Sequence, residues 1–188
     1  MRVEDAIRIR HSIRRYSSMP VRFEKLAAVL DAARFAPSAG NISSIKLVLV
    51  SDKSKIKEIA QAAMQDFVAV APHVIVVCSD NSQLARLYGE RGVYMYSKQQ
   101  AGAAIQNILL KVTELGLASC WVGAFDDNAI KRILTIPDNL EVEAVLPIAG
   151  KHILFRESRR KKPELKSMIY FDRWGNKTFK QIRKADAR

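Results

Sequence analysis

The sequence has little of several features that mark particular protein classes. Of its 188 residues only Cys78 and Cys120 are cysteines, which argues against a small domain held by disulfides. No apolar run approaches the roughly 20 residues needed to cross a bilayer, and the N-terminus lacks the apolar region of a secretory signal. Internal repeats and low-complexity linkers are also missing. We therefore expect one globular domain over residues 1–188, located in the cytoplasm and with no membrane partner.

The short motifs of common enzyme classes are absent too. The chain has no GxxxxGK phosphate loop, no GxGxxG dinucleotide motif, no HExxH and no paired-cysteine metal motif. Its three histidines, His11, His73 and His152, are far apart, and His73 is expected to be structural because it begins an apolar run. An enzyme with this sequence is expected to hold a reactive cofactor, with no catalytic side chain and no metal of its own.

The two cysteines are expected to differ in accessibility. Cys78 lies in an apolar run, where a thiol is ordinarily buried and inert. Cys120 lies near a glycine-containing turn, which predicts a more accessible position. Nothing beside either cysteine marks it as a nucleophile.

The formal net charge of +12 comes mainly from the C-terminal end. Residues 151–188 carry 13 Lys and Arg against 4 Asp and Glu, a net +9, whereas residues 1–150 carry only +3. A basic tail attracts nucleic acid and other anions without specificity, or supplies a few anion-binding side chains to a site. Few aromatic residues lie among the basic ones before Tyr170, which counts against a nucleic-acid-binding module.

Hydrophobic patterning predicts both strands and helices. Three β-branched apolar runs predict strands, at residues 45–50, 74–78 and 142–148. Apolar residues at helical spacing predict helices, at residues 23–35, 54–67, 88–115 and 126–134. The third helix is the longest and is expected to be central, with Gly116 after its end. This order predicts an α+β or mixed α/β layer fold.

One short segment combines groups that suit an anion. Residues 10–14 read Arg-His-Ser-Ile-Arg, which puts two guanidinium groups, an imidazole and a hydroxyl within five residues. Arginine presents a rigid fork of donors that matches phosphate, and serine adds a neutral donor to the same anion. The segment therefore predicts a site for a phosphorylated ligand, with a solvated basic face as the alternative.

Two loops rich in small residues are further candidates. Residues 36–41 read Ala-Pro-Ser-Ala-Gly-Asn, and residues 119–126 read Ser-Cys-Trp-Val-Gly-Ala-Phe-Asp. Each is interpreted either as a plain turn or as a flat surface where backbone amides meet a planar ligand. On the first interpretation Trp121 and Phe125 anchor the second loop in the core.

The C-terminal segment is expected to serve a second subunit. Four large apolar residues lie close together in it: Ile169, Tyr170, Phe171 and Trp174. They are too many to leave in water, and the segment has no core of its own. We therefore expect residues 164–188 to form an arm that packs on the partner subunit of a homodimer.

Taken together and in this order, the motifs resemble those of the FMN-dependent nitroreductase family. The resemblance spans nearly the whole chain and rests on residues 10–14, 36–41, 106–110, 115–125, 146–150 and 170–174. It implies an α+β three-layer sandwich with a central mixed β-sheet and a long central helix. It also implies a homodimer of the domain-swapped type, which binds FMN at its interface.

The resemblance assigns roles to individual residues. Arg10, His11 and Ser12 would hold the phosphate and ribityl chain of FMN, and Arg14 would face the pyrimidine edge of the flavin ring. A cation there stabilises the negative charge of reduced flavin. The remaining FMN-binding residues that it implies are Pro37, Ser38 and Ala39 from the other subunit, Asn41 of the same loop, Val122, Gly123 and Ala124 near the reactive N5, and Arg159 and Lys161 at the phosphate.

The function implied is that of an NAD(P)H oxidoreductase with a ping-pong cycle. NADPH or NADH would deliver hydride to flavin N5, leave, and be replaced by a quinone- or nitroaromatic-type acceptor. Two departures bear on the substrate: Asn41 is followed by Ile-Ser-Ser where many relatives have Gln-Pro-Trp, and Gly123 stands where many have an acidic residue. They leave open a flavin enzyme that oxidises or fragments a specialised substrate. Any substrate lid is expected around residues 83–94.

Overall fold

The computed structural model describes residues 1–153 and 161–179, in two units, Met1–Phe155 and Arg156–Arg188. The helices of the first unit are α1 (Val3–Ile9), α2 (Phe23–Ala33), α3 (Lys53–Ala62), α4 (Ser82–Arg91), α5 (Ser97–Glu114) and α6 (Asp127–Leu134). Its strands are β1 (Tyr16–Ser17), β2 (Ile45–Val50), β3 (His73–Asp80), β4 (Leu117–Ser119) and β5 (Leu140–Lys151). The second unit contains the short helix α7 (Leu165–Met168).

The five strands form one sheet in the order β1-β5-β3-β2, and β4 also pairs with β5. All strand pairings in the described ranges are antiparallel, where a mixed sheet was expected. For β2 and β3 the reason is the connection through α3, which begins and ends at the same end of the sheet, so that β3 runs back alongside β2. Val50 at the end of β2 therefore lies opposite Val74 at the start of β3. The α+β class is unchanged by this difference.

Strand β3 is buried on both faces and separates two layers of helices. Successive side chains of a strand point to opposite faces, so a strand covered on both sides is a continuous apolar run. Ile75 and Val77 pack in one cluster with residues of α2 and α5. Val74, Val76 and Cys78 pack in the other cluster with residues of α3 and α6. The predicted three-layer α+β sandwich is confirmed.

The long helix predicted over residues 88–115 is interrupted. Helix α4 ends at Arg91, a π-helical turn spans Gly92–Tyr96, and α5 begins at Ser97. Gly92 permits this turn because a Cβ there would collide with the Leu84 carbonyl oxygen. The predicted end is confirmed, since Gly116 has φ +70° and its N–H donates to the Thr113 carbonyl oxygen at 3.1 Å. No residue of α5 from position 100 to 113 is exposed, which makes it the central helix.

Both cysteines are buried, each with 1% of its surface exposed. The expectation of an accessible Cys120 is wrong, because the chain continues along β5 after β4 and puts Cys120 in a core cluster with Val122 and Ile130. Burial raises the pKa of the Cys78 thiol to about 11. The Cys78 thiol is therefore un-ionised at neutral pH, as expected of an inert structural cysteine.

In the described part of the second unit, aromatic residues pack on one another. The ring centres of Tyr170 and Trp174 are 4.2 Å apart, and the Lys177 ammonium lies 3.7 Å from the Tyr170 ring centre. Lys177 also donates to the carbonyl oxygen of Lys166 at 2.8 Å. Even so, Trp174 is 86% exposed. Other large apolar residues that remain exposed there are Leu165, Met168 and Phe179.

His73 joins the start of β3 to the chain before α2. Its Nε2 accepts from the Val21 N–H at 3.2 Å, and its Nδ1 lies 2.8 Å from the Ser51 hydroxyl oxygen. Burial lowers the pKa of His73, and the bond from Val21 requires Nε2 to be unprotonated. His73 therefore has the expected structural role: its two ring nitrogens connect β3 to Val21 and Ser51.

We predict that acid weakens the fold through His73. In the unfolded chain this histidine binds a proton near pH 6.5, and in the folded chain only at lower pH, so the free energy of unfolding falls as the pH drops below about 6.5. The stability advantage of the wild type over His73→Gln should therefore be larger at pH 7 than at pH 5. Urea unfolding at both values measures it, and an advantage independent of pH contradicts the prediction.

We predict opposite effects of alanine at two glycines near the central helix. Gly92→Ala should lower the free energy of unfolding by about 1–3 kcal/mol, because the new methyl group meets backbone. Gly102→Ala, inside α5 with no atom beyond the helix's own backbone within 4 Å of the new Cβ, should raise it by about 0.5–1 kcal/mol. Urea unfolding of both variants tests this, and equal effects would show that the π-helical turn does not require Gly92.

Candidate functional site

Residues 10–14 follow α1 and are attached to β4 by a backbone hydrogen bond. The Ile13 N–H donates to the Ser119 carbonyl oxygen at 2.9 Å, and Ile13 is only 5% exposed. On either side of the buried Ile13, Ser12 and Arg14 are both exposed. The isoleucine thus anchors the segment, and the polar side chains beside it remain in contact with solvent.

Arg14 lies against a small aromatic group. Its guanidinium carbon is 5.7 Å from the centre of the Phe67 ring, and that ring is 6.1 Å from the ring of Tyr16. Tyr16 is buried beside Ile13 and Ala118. Burial, and secondarily the nearby Cys120, raises the pKa of Tyr16, so its hydroxyl stays un-ionised. Phe67 and Tyr16 therefore form an uncharged support for an exposed cation.

Arg10 and His11 line a cavity of about 10 Å³ together with Ser119 and Lys151. The Nδ1 of His11 lies 2.8 Å from the Ile9 carbonyl oxygen. A volume of this size holds about one water molecule, so a phosphate group would meet these side chains only at the rim. Lys151 was not predicted, because strand pairings bring it here: β5 pairs with β1, which sets Lys151 opposite Tyr16, and with β4, which sets Gly150 opposite Leu117.

Residues 122–124 continue along the same edge of β5. The Val122 N–H donates to the Val145 carbonyl oxygen and the Val145 N–H donates back, both at 3.0 Å. Val122 is buried, whereas Gly123 and Ala124 are exposed. This stretch is therefore a strand-like edge that presents backbone and small side chains to the surface.

The two aromatic residues of this loop have different surroundings. Trp121 is 41% exposed, and its indole nitrogen lies 3.9 Å from the position that a Cβ on Gly123 would take. The interpretation of Trp121 as a core anchor is therefore wrong. Phe125 packs against the core cluster and does serve as an anchor.

The loop at residues 37–41 lies at the other edge of the sheet. It leads into β2, which β3 separates from β5. Ser119 and His73 both pair with Ile148, so β4 and β3 flank β5 on opposite sides. With neighbouring strands roughly 4.8 Å apart, β2, which the loop enters, is about three strand spacings from β4. Within one chain, the structure brings residues 10–14 and 122–124 to one edge and leaves Pro37, Ser38, Ala39 and Asn41 at the other.

The basic pair of the C-terminal end is only partly described. Lys161 is exposed at the start of the described part of the second unit, and Arg159 lies outside the described residues. Across the described ranges 1–153 and 161–179, no group of three or more His, Cys, Asp or Glu side chains could hold a metal ion. No helix in those ranges is long and apolar enough to cross a membrane.

Comparison with known proteins shows which family has a similar sequence and architecture. The model of the nitroreductase family matches residues 7–70 and 62–151. A protein of Methanocaldococcus jannaschii, provisionally named a nitroreductase, is 31% identical over 172 residues and covers 73% of this chain and 86% of its own. The NADPH-flavin oxidoreductase of Vibrio harveyi is 25% identical over 146 residues, covering 73% of this chain and 61% of its own.

Solved structures agree with the sequence comparisons. A nitroreductase family protein of Clostridium novyi superposes with a TM-score of 0.75 at 27% identity, over 94% of this chain and 96% of its own. An FMN-dependent nitroreductase of Clostridium difficile gives 0.77 at 25% identity, over 90% and 98%. Since the family model spans most of the first unit and solved relatives share the fold, this protein belongs to the nitroreductase family.

Proposed function

We propose that this protein binds FMN through residues 10–14 and 122–124 and passes reducing equivalents from NAD(P)H to a quinone- or nitroaromatic-type acceptor. Membership of the family makes it an FMN-dependent NAD(P)H oxidoreductase. The acceptor and the residue roles are the proposal. The observation that carries them is the bond from Ile13 to Ser119, because it joins the basic segment to the edge that continues into Gly123 and Ala124.

The side chains present suit FMN. Ser12 and Arg14 are exposed, and guanidinium groups match the geometry of phosphate and of ring carbonyl oxygens. Gly123 and Ala124 offer a surface without large side chains, where a flat ring can approach the backbone. Bound to these residues, FMN would supply the redox chemistry, namely the relay of a hydride from reduced nicotinamide to the acceptor.

Each protein group has a task in binding or orientation. Arg10 and Ser12 fix the phosphate end. Arg14 holds its positive charge at the ring edge, where it stabilises negative charge on the reduced ring, and Phe67 limits the directions that its guanidinium can take. The exposed Trp121 adds apolar surface beside Gly123. Since Gly123 provides no side-chain hydrogen bond to an acceptor, we expect weak discrimination among acceptors.

We propose further that the functional unit is a homodimer. The loop at residues 37–41 lies at the opposite edge of the sheet from β4, so in a dimer it would complete the FMN site of the partner subunit. Helix α1, helix α2 and the turn after α2 also leave large apolar side chains exposed: Val3, Ile7, Phe23 and Phe35. A groove of about 350 Å³ lies between these helices and α5. Residues 164–188, with the exposed Trp174, would pack on the partner as an arm.

We predict that Arg10→Gln weakens FMN binding selectively. The substitution removes one charge-assisted contact to phosphate, worth about 1.5–3 kcal/mol, so the Kd for FMN should rise roughly 10- to 100-fold. The Kd for riboflavin, which has no phosphate, should change by less than about threefold. Titration of the apoprotein, followed by quenching of flavin fluorescence, measures both constants.

The matched control is Arg8→Gln. Arg8 is exposed on α1 and pairs with Glu4 at 2.8 Å, so its loss should leave both constants unchanged. Equal weakening of FMN and riboflavin by Arg10→Gln would show that Arg10 does not contact the phosphate. Wild-type affinity for FMN in Arg10→Gln would remove this residue from the site.

A further inference from the structure

The loop over residues 38–44 has a backbone that needs outside support. Gly40 and Asn41 both have left-handed φ angles, +57° and +60°, at the centre of a 3₁₀ turn (Ala39–Asn41). Asparagine enters this region more readily than other non-glycine residues, but two successive left-handed residues still form a turn whose shape depends on the contacts around it. Asn41 is itself exposed, so the support must come from neighbours of the turn.

Gln100 of α5 provides that support. Its amide oxygen accepts from the Ala39 N–H at 3.1 Å, and its amide nitrogen donates to the Ile42 carbonyl oxygen at 3.1 Å and the Ser44 hydroxyl oxygen at 3.2 Å. This orientation satisfies both ends of the amide, whereas the reversed one turns the nitrogen toward donors. One side chain therefore holds the backbone before and after the left-handed pair.

The bonds made by Gln100 are protected from water and well placed. Gln100 is 5% exposed and Ser44 is 2% exposed, so loss of the amide leaves buried polar groups without partners. The residue lies near the start of the central helix, which packs against both the sheet and α2. On the other side of the loop, a Cβ at Gly40 would collide with the Tyr88 hydroxyl. The turn is thus enclosed between α4 and α5.

We propose that Gln100 is a positioning residue for FMN, because it holds the loop over residues 38–44 in the shape that meets the cofactor. The inference rests on the proposed function, in which Ser38, Ala39 and Asn41 contact FMN. Gln100 acts through the loop backbone and touches no reacting atom. A purely structural residue would contribute to stability without changing the affinity for FMN.

The test compares two variants of α5. Gln100→Leu keeps a similar volume and removes all three hydrogen bonds. Ile108→Val, about 12 Å further along the helix, loosens the fully buried core without touching the loop. We expect the apoprotein of Gln100→Leu to bind FMN about tenfold more weakly than the wild type. Ile108→Val should bind FMN within about twofold of the wild type, although its melting temperature also falls.

Hydrogen–deuterium exchange of the apoproteins supplies a second readout. Peptides that cover residues 38–44 should exchange faster in Gln100→Leu than in Ile108→Val. If Gln100→Leu does not fold, Gln100→Glu takes its place, since it retains an acceptor for the Ala39 N–H but loses the amide donor to Ile42. Weaker FMN binding by that variant supports the proposal, and wild-type affinity overturns it.

The outcomes separate this inference from the proposed function. Gln100→Leu that melts at a lower temperature but binds FMN as tightly as Ile108→Val overturns the positioning role. If Arg10→Gln has lost affinity for FMN in the same experiments, the proposed function stands without a positioning role for Gln100. A wild-type apoprotein that does not bind FMN overturns both.

Discussion

The hydrogen bond from the Ile13 N–H to the Ser119 carbonyl oxygen is the interaction on which the candidate site depends. It attaches a segment that is neither helix nor regular strand to β4, and β4 is in turn paired with β5. Ile13 is buried at this point, and Ser12 and Arg14 on either side of it are exposed. The basic segment is ordered by an apolar side chain and a backbone bond, and its charges remain available to a ligand.

The antiparallel sheet decides which segments can meet. β5 carries β3 on one edge and β4 on the other, so the chain next to β4 and the loop that enters β2 are at opposite sides of the sheet. On the proposed function, a single subunit therefore presents two half-sites, one with cations and one with small residues. A two-fold dimer allows each half-site to be completed by the other subunit, because symmetry brings the same surfaces together twice.

Long, strongly patterned elements were predictable from the sequence. Strand β2 has the predicted bounds, since its apolar β-branched run admits few alternatives, and Asp126 caps α6 by accepting from the Ala129 N–H at 3.0 Å. The break between α4 and α5 was missed because the helical spacing of apolar residues continues across it, whereas Gly89 leaves helical geometry with φ +56° and Gly92 lies too close to the Leu84 carbonyl oxygen for any side chain. β1 and β4 have two and three residues, too few for a pattern, and exist through pairing with β5.

The residues of the candidate site also differ in whether the sequence alone could indicate them. Arg10 and Arg14 could be proposed from the sequence because their side-chain chemistry alone suits an anion. The contacts of Phe67 with Arg14 and of Gln100 with residues 39–44 could not, because they join residues far apart along the chain. The most direct test of the account is the absorbance spectrum of the purified protein, scanned before and after anaerobic NADPH and then after a quinone. The account predicts flavin bands that bleach with NADPH and return with the quinone. A colourless protein that stays colourless with added FMN would contradict it.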